Sequence, residues 1–403
     1  MNKATLAVVA ALIFILCGVF AAIFWARGYR IDVFKKSLAT TGIMVATSDP
    51  DGAAVWINGK LTTATNNTIN LAPGKYHIKF TKDGFSTWEK VIEIKKEEVF
   101  KTNAFLFPAL ADLRPLTLTG AINPTISPDG TKIVFGVASS SASFKGDGNG
   151  IWIIDMGRAF PPTPIFAATD FRQIFRNTTY TFLSDAKFFW SVDNKQLIAY
   201  YGDLEKPTAA YLLFSEQLNL NPDIITDQVE TLRQDWQDLA LARSNAQIAK
   251  LPMILSSILA TSAGKLSFSP DETKILYTAT AAAQLLPIRQ TYLPGTNPTT
   301  QTRKLEPGKT YVYDSKEDRN YLIENCKFQI GNCRWFPSSK HLLSTVDNQI
   351  IISEYDGTNP SVVFAGRFNP ESVFAWPNWS KVVVLTSLGN PTGQENLYTV
   401  NLR

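Results

Sequence analysis

The sequence predicts a mainly β chain: an apolar N-terminal helix, a small β-sandwich, then a β-propeller of five blades with one helical insertion, six blades being the alternative. Three observations lead there. Ile126-Ser-Pro-Asp-Gly-Thr-Lys-Ile-Val-Phe-Gly136 recurs almost unchanged as Phe268-Ser-Pro-Asp-Glu-Thr-Lys-Ile-Leu-Tyr277, and looser copies begin at Trp190, Trp335 and Trp376. Between the copies run short stretches of β-branched and aromatic residues. Ahead of everything stands an almost unbroken, uncharged apolar run, residues 4–26.

The recurring string is hairpin chemistry. Pro128 presets φ for a tight turn, Asp129 suits the next position, and Gly130 takes φ > 0 where the chain rejoins the ladder. Lys132-Ile-Val-Phe then supplies the returning strand. Repeats of this kind in a β-rich segment build a radial or solenoidal array of small sheets.

At 403 residues the chain is long enough for two or three domains with their own cores. Lys and Arg number 39 against 35 Asp and Glu, a net charge of +4, and the basic residues are spread out. No polybasic tract argues for nucleic acid. The two histidines, His77 and His341, lie in no ligand-like cluster, so neither metal nor cofactor is expected.

Residues 1–41 are read as a membrane anchor with a juxtamembrane segment. About 20 helical residues at ~1.5 Å rise span a hydrocarbon core of ~30 Å. Trp25 and Tyr29 fall where an interfacial aromatic belt would lie. The run is long for the apolar part of a cleaved signal, and no small-x-small cleavage site follows it. Leu16 before Cys17 also fits a lipoprotein signal poorly. A single-pass, uncleaved anchor is expected. Lys3 on one side against Arg27, Arg30, Lys35 and Lys36 on the other would, by charge alone, put the C-terminal bulk in the cytoplasm. Arg27–Thr41 reads as a continuation of the helix with Ile31, Phe34 and Leu38 on one face.

Residues 42–108 alternate as a small all-β domain. Ile43–Thr47 and Ala54–Ile57 read as strands, and Asn58-Gly59 is the strongest hairpin signal in the chain. Tyr76–Phe80 alternates cleanly, Asp83-Gly84 turns into a strand ending near Ile94, and a last strand runs Phe100–Phe107. The order Pro50-Asp-Gly-Ala53, Val55-Trp-Ile-Asn-Gly-Lys60, Leu71-Ala-Pro-Gly-Lys-Tyr76, Lys82-Asp-Gly-Phe85 resembles the PEGA domain, with Asp51 where that family's name has Glu. The resemblance implies a small β-sandwich, common in bacterial and archaeal envelope and surface-layer proteins, and no catalytic residue.

Residues 109–403 carry the repeats. A further short strand follows each hairpin: Ile151–Asp155, Ala210–Phe214, Thr310–Asp314, Ile350–Tyr355 and Leu397–Asn401. The segment resembles the WD-like propeller repeats of Tol-associated periplasmic proteins, whose mark is the Ser-Pro-Asp-Gly turn. An open ring would leave exposed strand edges. The sequence therefore predicts that a strand near Leu116-Thr-Leu118 completes the last blade. Both resemblances imply an external location for the bulk of the chain, against the charge rule.

One stretch, 226–263, breaks the β pattern. Asp227 with Glu230 suits a capping box. Val229, Leu232, Trp236 and Leu239 recur at helical spacing, and Pro252 starts a second helix, Met253–Ala260, closed by Gly264. Either the apolar face covers one end of the propeller, or it docks a partner with Trp236, Met253, Ile254 and Leu255 as anchors. Gly136–Gly150 lacks the lysine of a phosphate loop and the acidic ligands of a calcium loop, and reads as an inter-strand loop. Cys326 and Cys333 flank a Gly-Asn turn; they either pair, which implies an oxidising compartment, or remain separate thiols.

No nucleophile elbow is present, and two histidines leave little room for a triad. Paired carboxylates in a central funnel would use Asp155, Asp185 and Asp193, as in a glycosidase-like enzyme. Asp193, however, fills the turn slot of its repeat. The reading is therefore a non-enzymatic, membrane-anchored envelope protein whose propeller binds another envelope protein or a cell-wall polymer. A carbohydrate-active enzyme and an envelope sensor are the alternatives.

Overall fold

The computed structural model describes residues 3–26, 29–32, 37–110, 112–138, 149–157, 171–176, 185–291, 293–324, 326, 333–388 and 393–403. Two compact units emerge: one holds Met1–Ala109 with Arg289–Gln301, the other Leu110–Ile288 with Thr302–Arg403.

In the first unit α1 spans Lys3–Ala26. Its side chains over residues 7–23 are exposed. Among the described residues no helix is long and apolar enough to cross a membrane. The expected helical continuation is replaced by a hairpin: Tyr29–Asp32 pairs antiparallel with Ser37–Thr40, setting Ile31 opposite Leu38. Tyr29-Arg-Ile-Asp alternates at period two, which suits a strand better than a helical face. Phe34 lies outside the described residues.

The sandwich follows from alternation. Its larger sheet orders Lys60–Ala64, Ala54–Ile57, Gly74–Thr81 and Trp88–Ile94. Opposite it, Gly42–Ala46 lies between Asn67–Leu71 and, in parallel, Val99–Lys101. Asn58 (φ 49°) and Gly59 (φ 79°) make the two-residue turn that needs φ > 0 at both positions. Inward-facing Met44, Val55, Ile78, Phe80, Trp88 and Ile92 fill the core, with Phe80 stacked on Trp88 at 5.1 Å. The last strand is shorter than expected, Ala104–Phe105, and pairs parallel with Ser48–Asp49.

The second unit contains five four-stranded antiparallel sheets in chain order. Blade 1 runs Ile122–Ile126, Lys132–Val137, Gly150–Asp155, Phe171–Arg176; blade 2 runs Lys187–Trp190, Gln196–Gly202, Pro207–Phe214, Asp223–Ile224. Blade 3 runs Ala263–Phe268, Lys274–Ala279, Thr310–Asp314, Arg319–Leu322; blade 4 runs Cys333–Trp335, His341–Val346, Gln349–Glu354, Ser361–Ala365. Blade 5 takes Val373–Ala375, Lys381–Thr386 and Asn396–Asn401, and its fourth strand is Asp112–Pro115. The ring is thus closed by an early strand, slightly upstream of the expected one; Leu116 and Thr117 still donate backbone hydrogen bonds to the Leu397 carbonyl.

The first strands of blades 1 and 2 touch, as do those of blades 3 and 4, which marks the first strands as the inner ones around the axis. Apolar faces meet between blades. Ile133, Phe135 and Ile154 pack on Phe374, Val383 and Leu397, and Val134 and Ile153 on Phe188, Trp190 and Leu197. Leu276 and Val312 pack on Leu342. Burial of these faces drives ring formation, since each sheet alone would leave both sides wet.

Blade 3 carries a long excursion between Lys274–Ala279 and Thr310–Asp314, and its middle, Arg289–Gln301, belongs to the first unit. Its roots are clamped. The Ile288 N–H donates to Asp318 Oδ2 at 2.7 Å, Tyr313 OH donates to Asp318 Oδ1 at 2.7 Å, and Arg303 Nη1 lies 3.2 Å from the same oxygen. Asn320 accepts from Tyr277 OH and donates to the Thr302 carbonyl, both at 2.8 Å. Burial, then the Asp318 charge beside it, pushes the Tyr313 hydroxyl well above its ordinary range.

The insertion forms a short 3-10 turn, Thr226–Gln228, then α2 (Val229–Ala249) and α3 (Met253–Ser262). No side chain caps α2, so the expected capping box is not made. Asp227 sits inside the 3-10 turn, and Glu230 is engaged by the Arg233 guanidinium through both oxygens. Pro252 is the N-cap of α3, as the sequence predicts. Gly264 does not close that helix: α3 passes through Ala263 straight into the inner strand of blade 3.

Candidate functional site

All five strand-one to strand-two turns share one geometry. Gly130, Asn194, Glu272, Ser339 and Trp379 take φ between 56° and 73°. Each donates its N–H to the carbonyl three residues back, at 2.7–3.1 Å. The sequence departs from Ser-Pro-Asp-Gly in several copies, yet the backbone does not.

The side chains explain the slot. In blades 1 to 3, Ser127, Ser191 and Ser269 donate to Asp129, Asp193 and Asp271 at 2.6, 2.7 and 2.6 Å. Each carboxylate also accepts the backbone N–H two residues on, from Thr131, Lys195 and Thr273. In blade 5 Asn378 accepts from Ser380 in the same way. Burial works to raise Asp129 and Asp271, but the serine, threonine and lysine contacts outweigh it and hold both below the usual carboxylate range. The Ser191 hydroxyl and the Lys195 N–H do the same for Asp193.

Over the turns of blades 1 and 2 lies α2, held at its ends. At the N-terminal end Val229 and Trp236 pack on Ile198 and Ala210, and the Trp236 ring stacks on Phe189 at 6.0 Å and 9°. At the other end Gln247 donates to Glu272 at 2.9 Å and Lys250 lies 3.3 Å from the same carboxylate. Between these ties Leu239 and Leu241 are exposed. Beneath the span is a cleft of about 550 Å³, lined by Asp129, Ser191, Asp193, Asn194, Trp236, Leu239 and Arg243 among others. An apolar wall, two ionised carboxylates and one guanidinium can receive a polypeptide side chain and orient it.

The four expected docking residues divide. Trp236 (6 % exposed) and Leu255 (2 %) are core residues, the latter packed with Leu259, Ile275 and Tyr277. They hold the insertion to the propeller, which corrects their reading as free anchors. Met253 (82 %) and Ile254 (50 %) are exposed. The cleft itself was not legible: Arg243 and Asn194 come together only because α2 crosses the blade-2 turn.

The three carboxylates considered for catalysis are dispersed by topology. Asp193 is bound into its turn. Asp155 closes the neighbouring turn by accepting the Gly157 N–H at 3.1 Å. Asp185 precedes Lys187–Trp190, at the end of that strand away from Asp193. Among the described residues no group of three or more His, Cys, Asp or Glu is placed to hold a metal ion. Gly136–Gly150 falls largely outside the described residues. Cys326 and Cys333 are joined by a disulfide, with Cα atoms 5.5 Å apart.

Residues 41–109 match the PEGA domain family. No curated protein matches the chain in sequence. Among solved structures, TolB from Acinetobacter baumannii is similar at 12% identity and a TM-score of 0.22, over 81% of this chain and 59% of that one. The chain thus spans less than two thirds of that protein's length. TolB from Agrobacterium tumefaciens is similar at 12% identity and 0.20, over 71% of this chain and 92% of that one. An oligogalacturonate lyase in complex with manganese is similar at 10% identity and 0.24, over 82% and 86%. The propeller assignment rests on the strand pairing described above, not on these likenesses.

Proposed function

We propose that the chain is a single-pass membrane protein of the cell envelope, anchored through the apolar run of residues 4–26 with its bulk outside the cytoplasm, whose propeller docks another envelope protein at the cleft beneath α2. The observation that carries the docking is the span of α2 itself. A helix tied at both ends, with Leu239 and Leu241 uncovered and a mixed cleft under it, resembles a rigid platform with a groove. The apolar run over residues 4–26 supports the anchor. The PEGA match and the Cys326–Cys333 bond support an external, oxidising location. The engagement of Asp155 and Asp193 in turns supports binding rather than catalysis.

The test is site-specific photo-cross-linking in whole cells. A cross-linker at Leu239 should capture one envelope protein, the adduct should weaken with Arg243→Glu, and a cross-linker at exposed Leu220 should give none. No protein adduct at Leu239, or equal capture at Leu220, rejects the reading. Protease accessibility in whole cells and spheroplasts checks the orientation separately.

A further inference from the structure

The inner strands carry a charge pattern that the turns and the cleft do not use. They read Ile122-Asn-Pro-Thr-Ile, Lys187-Phe-Phe-Trp, Ala263-Gly-Lys-Leu-Ser-Phe, Cys333-Arg-Trp and Val373-Phe-Ala. Lys187, Lys265 and Arg334 lie on them, and no Asp or Glu does.

Arg334 is the unusual member. Cys333 and Trp335 on either side pack with blade-3 residues Leu276 and Val312, so the pleat turns Arg334 to the opposite face, toward blade 5. Its cross-strand partner Leu343 and, one strand further, Ile352 are fully buried and apolar. In blade 5 the register row Ala375, Val382 and Val400 lies on the face opposite Phe374, Val383 and Leu397, which pack on blade 1. Among the described residues the Arg334 guanidinium has no ion pair, and its Nε is buried with no hydrogen-bond partner. Burial alone lowers its pKa, to about 10. It still carries its charge at neutral pH. The corresponding positions in the other blades, Thr125, Phe189, Ser267 and Phe374, are uncharged. The residue is nonetheless only half-buried, so part of the fork remains reachable.

A partly buried guanidinium with no ion pair among the described residues is costly in a folded protein unless a counter-charge arrives. We propose that the inner edge of blade 4 is an oxyanion site, in which Arg334 binds a carboxylate or phosphate group through its planar fork. The fork geometry matches both oxyanions bidentately, and a lysine there would act only as a point charge. This site is separate from the cleft beneath α2, so each can fail without the other.

The test uses the full chain in detergent at low ionic strength, titrated with inorganic phosphate and with succinate by calorimetry and thermal unfolding. Saturable one-site binding of at least one probe is expected, and the tighter of the two names the source. Arg334→Met should weaken it about tenfold or more, and Arg334→Lys less, because the charge survives and the fork does not. Without added anion, Arg334→Met should melt higher than the parent, since it removes an uncompensated charge; saturating probe should narrow or reverse that order. Should Arg334→Met fail to fold, Arg334→Lys alone decides by the same weakening. The proposal is overturned if neither probe binds saturably up to roughly 50 mM. It is equally overturned if the Arg334 variants bind like the parent.

Discussion

The indole Nε1 of Trp335 donates a hydrogen bond to the Ser267 carbonyl, 2.8 Å away on the preceding blade. Trp190 makes the equivalent bond to Thr125 at 3.3 Å. Both acceptors stand two residues before a turn serine, so one inter-blade contact is repeated by register. Trp335→Phe and Trp190→Phe keep most of the ring and lose the donor. Each should destabilise the propeller by roughly 0.5–1.5 kcal/mol in urea unfolding. A change within error for both would mean these bonds merely accompany the packing.

Gly130 takes φ 73°, and a Cβ built there would meet nothing within 4 Å. A substitution at this position therefore reports backbone conformation and not crowding. Gly130→Ala should cost about 1–2 kcal/mol. Gly130→Asn should cost less, because Asn tolerates this region, as Asn194 does in blade 2. Equal losses for Ala and Asn in a denaturant series would contradict the turn argument.

Asp318 collects the Ile288 N–H, the Tyr313 hydroxyl and the Arg303 guanidinium at the roots of the blade-3 excursion. Removing it leaves a largely buried guanidinium without its carboxylate. Asp318→Ala should cost about 3–5 kcal/mol, and Tyr313→Phe about 1 kcal/mol. Limited proteolysis should show new cleavage within residues 280–309 for Asp318→Ala before any elsewhere in the propeller.

Asp129, Asp193 and Asp271 are all held below the usual carboxylate range. At neutral pH they are ionised in the folded and the unfolded chain, and their turn contacts contribute in full. On acidification the unfolded chain takes up protons first, near pH 4. Stability should therefore begin to fall below about pH 5 and keep falling until the folded carboxylates protonate. The triple variant to Asn should be less stable at pH 7 and should lose less between pH 5 and pH 3, read as unfolding midpoint against pH.

Much of this fold was legible because hairpin chemistry is local. Ser127, Ser269 and the residues after them announce their turns, and Asn58-Gly59 announces the tightest one. The looser copies were harder: nothing in Trp376-Pro-Asn-Trp says that Trp379 will take the slot of a glycine. The Tyr29–Asp32 hairpin is hard to read because its short alternation sits beside a long apolar helix. Glu230 does not cap because its i,i+3 partner, Arg233, takes both of its oxygens. The cleft and the isolation of Arg334 were not legible at all. Each depends on which face of a strand meets which neighbour, and that is decided by pairing between residues far apart in sequence.

Asn401 donates its side-chain amide to Asp112 across a sequence separation of 289 residues, on the seam where Asp112–Pro115 joins the last blade. During synthesis that first strand is made well before anything exists to pair with it. A bare edge must wait while four complete sheets assemble, and the slowest step of maturation should be its late capture. The same delay exposes a β-edge to other chains, so the seam is where a crowded or overproduced chain would first go astray.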